Sequence, residues 1–231
     1  MRIRKDLNKR TAISFYDGLA SRWEDEYKSD TFGVRLQVLS DLVPRDLRGQ
    51  TWLDAGCGTG TISRWLAAER GASVLAIDGS DRMLSHALPA RGVEYRKADI
   101  VSTGLPDGSF NGIVCSSVLE YLTFPEVALE EFHRVLKPGG IVLASVPNRA
   151  LSVRIPLISL YWLTRPLGTK RRFAYLDHSK HSYSATEFSC VLGRNGFGTE
   201  HVVEFGRLGL PFGMTVSRSG SLLMVLARRL N

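Results

Sequence analysis

Apolar and polar positions in the first 45 residues repeat with a helical period. Ala12, Phe15, Tyr16, Leu19, Ala20, Trp23 and Tyr27 recur at spacings of three and four, which predicts helix with one buried stripe. A second helical stretch, Val34 to Val43, stops at Pro44, because proline pushes the residue before it out of α geometry. Short apolar runs then take over at Thr51–Ala55, Ser73–Ile77, Val93–Ala98, Phe110–Cys115 and Ile141–Val146. Between them lie helical patterns at Ile62–Arg70, Asp81–Leu88 and Glu126–Leu136, the last ending in Lys137-Pro-Gly-Gly140. Strands alternating with helices at this spacing predict βαβ units, a parallel α/β sheet, and ligands at the carboxyl ends of its strands. Past residue 147 the rhythm breaks, with a helix expected at Ala185–Asn195 and strands at His201–Phe205 and Leu222–Ala227. The expected organisation is a helical cap over 1–45, a core over 46–147, an insertion over 148–184 and a completion of the sheet over 185–231.

A chain of 231 residues, 44% hydrophobic and 23% charged, is long enough for a sizeable core and argues against wholesale disorder. The longest apolar run, Ile155 to Leu163, is interrupted by Pro156 and falls far short of the roughly 20 residues that span a bilayer. The first ten residues lack the apolar stretch of a secretory signal, so a cytoplasmic protein is expected. Cys57, Cys115 and Cys190 are odd in number and widely spaced, which fits neither a disulfide framework nor a CxxC metal site. The net charge of +7 is concentrated. Residues 1–10 carry five cations against Asp6, and residues 149–182 carry seven against Asp177, so the remainder is mildly acidic. Such patches attract nucleic acid, anionic lipid or acidic substrates, or simply keep a face solvated.

Candidate chemistry begins at Asp54-Ala-Gly-Cys-Gly-Thr-Gly60, between the first strand and its helix. Gly56, Gly58 and Gly60 allow a tight turn and close approach of a ligand. A dinucleotide fingerprint would need a glycine where Thr61 stands, so a nucleoside without a pyrophosphate fits better. Asp78, ending the second strand, can accept hydrogen bonds from both ribose hydroxyls, and Asp99, ending the third, is placed for an adenine amino group.

With these residues the chain resembles the class I S-adenosylmethionine-dependent methyltransferases. The matching stretches are LDAGCGTG (53–60), AIDGSDRML (76–84), ADI (98–100), SFNGIVCSSVLEYL (109–122) and LKPGG (136–140). The resemblance implies a Rossmann-like fold, a mostly parallel seven-stranded sheet with helices on both faces, and S-adenosylmethionine as cofactor. It implies that Asp54, Gly56, Cys57, Gly58 and Gly60 form the donor loop, and that Asp78 and Gly79 hold the ribose. Asp99, Ile100 and Met83 would then frame the adenine. Met83 has a plain core role as its alternative, and Cys57 reads as a small filler. Layout is most similar to the ubiquinone-biosynthesis O-methyltransferases, which implies that Arg35 meets the donor carboxylate and that Ser116 is a further donor contact. The alternative for Arg35 is an exposed helix arginine. Where that subfamily has a metal-linked E-x-x-E-H group, this chain has Ser117, Glu120 and Tyr121, so no metal is expected.

The acceptor is expected to be a small, lipophilic or aromatic metabolite, methylated most readily at oxygen. Carbon or nitrogen methylation, tRNA or protein targets and a non-catalytic nucleotide-binding role are the alternatives. Nucleic acid is disfavoured because Cys115-Ser-Ser-Val118 replaces the Asp/Asn-Pro-Pro-aromatic group that clamps a flipped base. His181 and His178, in Asp177-His-Ser-Lys-His-Ser-Tyr183, are candidate bases, with hydrogen-bonded structural roles as the alternative, and Tyr121 is a candidate for orienting the acceptor. Tyr16 and Trp23 would wall the substrate side, joined by Tyr161 and Trp162 of the insertion; the alternative for Tyr16 and Trp23 is that they pin the cap to the body. That basic, aromatic insertion is a lid, a contact through residues 149–172 with an anionic membrane at its inner face, or a dimer interface.

Overall fold

The computed structural model describes residues 12–26, 30–150, 159, 163, 177–206 and 220–231. Seven strands form one sheet: β1 (Thr51–Ala55), β2 (Ser73–Asp78), β3 (Val93–Lys97), β4 (Phe110–Ser116), β5 (Leu136–Pro147), β6 (Phe197–Phe205) and β7 (Leu222–Arg229). Their order is β3-β2-β1-β4-β5-β7-β6; β7 runs antiparallel to both of its neighbours, and the pairings from β3 through β5 are parallel. This is the mostly parallel seven-stranded sheet expected from the sequence.

Helices cover both faces. α1 (residues 12–17), α2 (Trp23–Glu26) and α3 (Asp30–Leu42) precede the sheet, with a 3-10 turn at Ala20–Arg22. α4 (Thr61–Arg70), α5 (Asp81–Ser85), α6 (Pro125–Val135) and α7 (Ala185–Arg194) follow in chain order. On α6, Ala128, Leu129, Phe132 and Val135 bury one stripe against the face that also receives Phe188 and Leu192 of α7. Val38 and Leu39 of α3 and Ile62 and Leu66 of α4 pack on the opposite face, around the buried Trp52. A capping box starts α7: the Glu187 N–H donates to Ser184 Oγ and the Ser184 N–H to Glu187 Oε2.

Several boundaries differ from those the sequence predicts, each for a local reason. The helical stripe of residues 12–27 is interrupted at Gly18 and Leu19, so the cap turns a corner instead of running straight. α5 ends at Ser85, three residues short of the expected Leu88. β5 begins at Leu136, so the expected turn over residues 137–140 is a bulge inside a strand: Leu136 pairs with Phe110, and the ladder resumes at Gly112 with Ile141. Gly139, at φ 73°, supplies the left-handed residue of that bulge. β6 starts four residues earlier than expected, since its polar N-terminal half is held by pairing with β7 rather than by apolar content.

Gly112 marks where β4 and β1 press together. A Cβ there would meet the Trp52 ring at 2.6 Å, and Trp52 is fully enclosed. Gly112→Ala is expected to destabilise the fold by about 1–3 kcal/mol, the usual cost of overpacking, read as a lower urea midpoint with an unchanged slope.

Candidate functional site

Strands β1 and β2 are in register from Thr51↔Ser73 to Ala55↔Ile77, so the loop leaving β1 lands beside the end of β2. There the N–H groups of Gly56 and Cys57 both donate to the Ile77 carbonyl, at 2.8 and 3.0 Å. The Gly58 N–H donates to Asp78 Oδ2 and the Ser80 N–H to Asp78 Oδ1, each at 2.8 Å. Gly56 and Gly58 lie at φ 83° and 56°, a region that side chains disfavour. Burial pushes the Asp78 carboxyl up, the N–H groups of Ser80 and Gly58 pull it back, and the nearby Asp17 charge adds to the rise; the net shift is upward.

Asp54 and Cys57 lie beneath this loop. Asp54 is almost wholly enclosed and accepts from Ser63 Oγ at 2.5 Å; burial, with a contribution from the Asp78 charge, moves its carboxyl to about 7. The Cys57 thiol is buried and raised well above its ordinary value, first by desolvation. Met83 is buried with its N–H on Ser80 Oγ; past the end of β3, Ile100 is buried and Asp99 is exposed and accepts from the Val101 N–H.

The cap closes over these elements, through residues that spacing alone did not single out. Ser80 Oγ donates to Asp17 of α1, and Ile13 fits against Gly79, where a Cβ would meet it at 3.2 Å. Glu24 of α2 accepts from Thr59 Oγ1 at 2.5 Å, from Thr61 Oγ1 at 3.2 Å and from Arg64 Nη2 at 2.9 Å. Burial opposes the Glu24 charge, but the bonds from Thr59 and Arg64 outweigh it and hold the carboxyl below its ordinary range. Trp23 Nε1 lies 3.0 Å from where a Cβ of Gly58 would stand.

On the neighbouring β4 side, Arg35 of α3 is only 4% exposed, which removes the exposed-helix alternative. Its Nη1 donates to Ser116 Oγ at 2.9 Å and its Nη2 to Ser117 Oγ at 3.0 Å. Ser117 is the single non-glycine residue at positive φ (56°) among the described residues, pinned there by its N–H on Ser145 Oγ and on the Ser145 carbonyl. A 3-10 turn, Leu119–Tyr121, follows. Tyr16 Oη donates to Tyr121 Oη at 2.5 Å, and the Tyr16 ring meets Trp23, Tyr121 and Phe15 edge-on. The same turn receives the chain returning from the insertion, with the N–H groups of Lys180 and His181 on the Glu120 carbonyl.

His178 and His181 arrive by that route but part company. The His178 ring packs 4.8 Å from Phe15, whereas His181 Nε2 lies 3.0 Å from the Leu122 carbonyl and its ring stacks on Tyr183. The structure thus brings Tyr16, Trp23, Tyr121 and His178 together, with His181 one turn away. Tyr161, Trp162 and most of the basic insertion lie outside the described residues. Where the resemblance expected a metal-linked group, the cation next to Glu120 is Arg35. Among the described residues no three His, Cys, Asp or Glu side chains group as metal ligands.

Glu120 is buried, and its Oε2 has no hydrogen-bond partner. Burial moves its carboxyl from 4.5 to about 8, against the pull of its own N–H and of Arg35; Cys115 and Tyr183 are the other titratable groups that feel its charge. A carboxyl raised in the folded state supports the fold fully below about pH 4.5 and withdraws that support as pH climbs through about 8. Glu120→Gln is therefore expected to melt progressively higher than the parent as pH rises from 5 to 9. A melting difference independent of pH would contradict this.

A family model described as a methyltransferase domain matches residues 53–144. The chain is 35% identical over 149 residues to the ubiquinone biosynthesis O-methyltransferase of Pseudomonas paraeruginosa, a match covering 59% of this chain and 62% of that protein. A Mesorhizobium loti S-adenosylmethionine-dependent methyltransferase superposes with a TM-score of 0.61 at 25% identity, covering 84% of this chain and 96% of the other. A chain from the complex of the Haloferax volcanii Trm112 methyltransferase activator with a methyltransferase gives a TM-score of 0.74 at 18% identity, covering 94% and 98%, and shares the fold. With the glycine turn bound to Asp78 at the carboxyl end of a 3-2-1-4-5-7-6 sheet, residues 53–144 match a methyltransferase domain, and the chain has the Rossmann-like fold of the class I S-adenosylmethionine-dependent methyltransferases.

Proposed function

We propose that this protein moves the methyl group of S-adenosylmethionine to a small lipophilic or aromatic acceptor, preferentially at oxygen. The observation that carries the acceptor class is the convergence of Phe15, Tyr16, Tyr121 and His178, an aromatic cluster interrupted by two bonded phenol hydroxyls. The donor fits the other half. Gly56 and Gly58 leave no side chain in the turn, Asp78 keeps lone pairs for ribose hydroxyls after accepting two N–H groups, and Arg35 offers a guanidinium suited to a carboxylate. A dinucleotide fits poorly, because the Glu24 carboxylate already holds the threonines at the start of α4, where a pyrophosphate would need to sit.

The bound donor supplies an activated methyl for in-line displacement. The chain's own residues then have three tasks: to align the acceptor, to exclude water and to take up the acceptor proton. Alignment of two bound reactants supplies about 7–11 kcal/mol of barrier reduction in favourable cases. Tyr121, with its hydroxyl held by Tyr16, is suited to orient an acceptor hydroxyl. His181 suits the proton: Nε2 carries the hydrogen given to the Leu122 carbonyl, so Nδ1 is left as the acceptor. No helix among the described residues is long and apolar enough to cross a membrane, and a lipophilic acceptor would be met at an anionic membrane surface through residues 149–172.

Radiolabelled methyl donor incubated with a lysate split into lipid extract, small polar molecules and RNA is expected to label the lipid extract; label confined to RNA would overturn the acceptor class. His181→Ala is expected to lower turnover about 10²–10⁴-fold while S-adenosylhomocysteine affinity, followed by calorimetry, stays unchanged. Unaltered turnover would remove His181 as the base.

A further inference from the structure

From its sequence position Trp23 belongs with the acceptor. The geometry points instead to a donor role: we infer that Trp23 is a donor-binding residue, whose indole roofs the glycine turn and recognises the positive charge of the sulfonium. This rests on the methyltransferase reading above and adds to it a residue that tells the donor from its product.

Three observations converge on Trp23. First, its Nε1, Cδ1 and Cε2 lie 3.0, 3.5 and 3.8 Å from the position of a Gly58 Cβ, so the pyrrole edge closes on the turn itself. Second, its position is fixed from both sides: the Tyr16 ring meets it at 88° and 5.3 Å, and the next residue, Glu24, is bonded to Thr59, Thr61 and Arg64 around the same turn. An indole held this way has little freedom to swing towards the acceptor. Third, the surroundings favour a cation. Asp17 and Asp78 face each other across Ser80, which gives its hydroxyl to one and its N–H to the other. Both carboxylates belong to the mildly acidic body of the chain, and Asp78 is bonded to the same Gly58 that Trp23 covers.

An aromatic ring attracts a cation through its quadrupole, and the attraction is strongest for tryptophan. S-adenosylmethionine carries a sulfonium; S-adenosylhomocysteine, after losing the methyl, has a neutral thioether at the same sulfur. A tryptophan at the turn therefore holds the donor more tightly than the product, which favours exchange after each transfer. A leucine of similar reach would exclude water equally well but could not make that distinction.

The test uses the full chain with S-adenosylmethionine and S-adenosylhomocysteine as probes. Added S-adenosylmethionine is expected to change the tryptophan emission of the parent, and Trp23→Phe, which retains Trp52, Trp65 and Trp162, is expected to lose most of that change. By calorimetry, Trp23→Ala is expected to weaken S-adenosylmethionine at least 10-fold and S-adenosylhomocysteine less than 3-fold, with Trp23→Phe in between. Emission change persisting in Trp23→Phe overturns the proposal, as does equal weakening of both ligands or affinity within 2-fold of the parent in Trp23→Ala. If Trp23→Ala loses its far-ultraviolet circular dichroism, the Trp23→Phe emission titration alone decides. A parent chain that binds neither probe would overturn the methyltransferase reading as well, which separates that failure from a failure of Trp23 alone.

Discussion

The arrangement of the site depends on one attachment: the turn leaving β1 is tied to the last two residues of β2. Ile77 provides a carbonyl for two successive N–H groups, and Asp78 provides a carboxylate oxygen for a third. A turn that places consecutive N–H groups towards one strand end must pass through left-handed backbone, and this is why glycines stand at 56 and 58. The same carboxylate collects the Ser80 N–H and so sets the start of α5, whose N-cap is Ser80. One acid thus fixes two loops, and the cap then seats on both of them, through Trp23 and Glu24 on the first and through Ile13 and Asp17 on the second.

What the sequence made legible follows the range of the interactions involved. β1 and the helix after it are set by neighbours in the chain: a buried run, a glycine turn, then an amphipathic decade closed by Gly71 in left-handed geometry. Such features have a period or a punctuation mark, and the expected boundaries agree to within a residue. β6 was only half legible, because its first residues, Phe197-Gly-Thr-Glu200, are strand by virtue of pairing with β7 and carry no apolar alternation of their own. The bulge over residues 137–140 reads as a turn in sequence because it is locally a turn; only the partner strand reveals that the ladder continues on either side.

Site residues divide in the same way. That Gly56, Gly58 and Asp78 stand together was legible because turn glycines and a closing acid are written into strand ends. Asp17, Glu24, Ser117 and Ser145 were missed because each acts across a long separation: Asp17 on Ser80, Glu24 on Thr59, Ser145 on Ser117. An acid in an amphipathic helix looks like solvated surface until its partner is seen. Arg35 is the opposite case. Its position suggested a role, and it is buried, with Nη1 and Nη2 donating to the Ser116 and Ser117 hydroxyls at the end of β4.

The contrast between the two halves explains why the donor is easier to identify than the acceptor. The donor half is made of the ends of β1 and β2 and turns within a few residues of them, so its geometry is fixed by the sheet. The acceptor half proposed above centres on the turn Leu119–Tyr121, where three distant segments meet: α1 through Tyr16 and Tyr121, α3 through Arg35 beside Glu120, and the returning insertion through Lys180 and His181 on the Glu120 carbonyl. None of these attachments is required by the sheet, and each can change without disturbing it. The turn is also where the fold tolerates cost, with Ser117 in left-handed backbone and Glu120 buried with an unbonded oxygen. Strain and an unsatisfied acid persist beside a ligand site when the surrounding packing is strong enough to impose them, and here the fully enclosed Leu119 and Cys115 of the adjoining core supply that packing. The two proposed halves are therefore built differently, the first fixed by β-sheet register and the second by side-chain contacts among segments that the register leaves unconstrained.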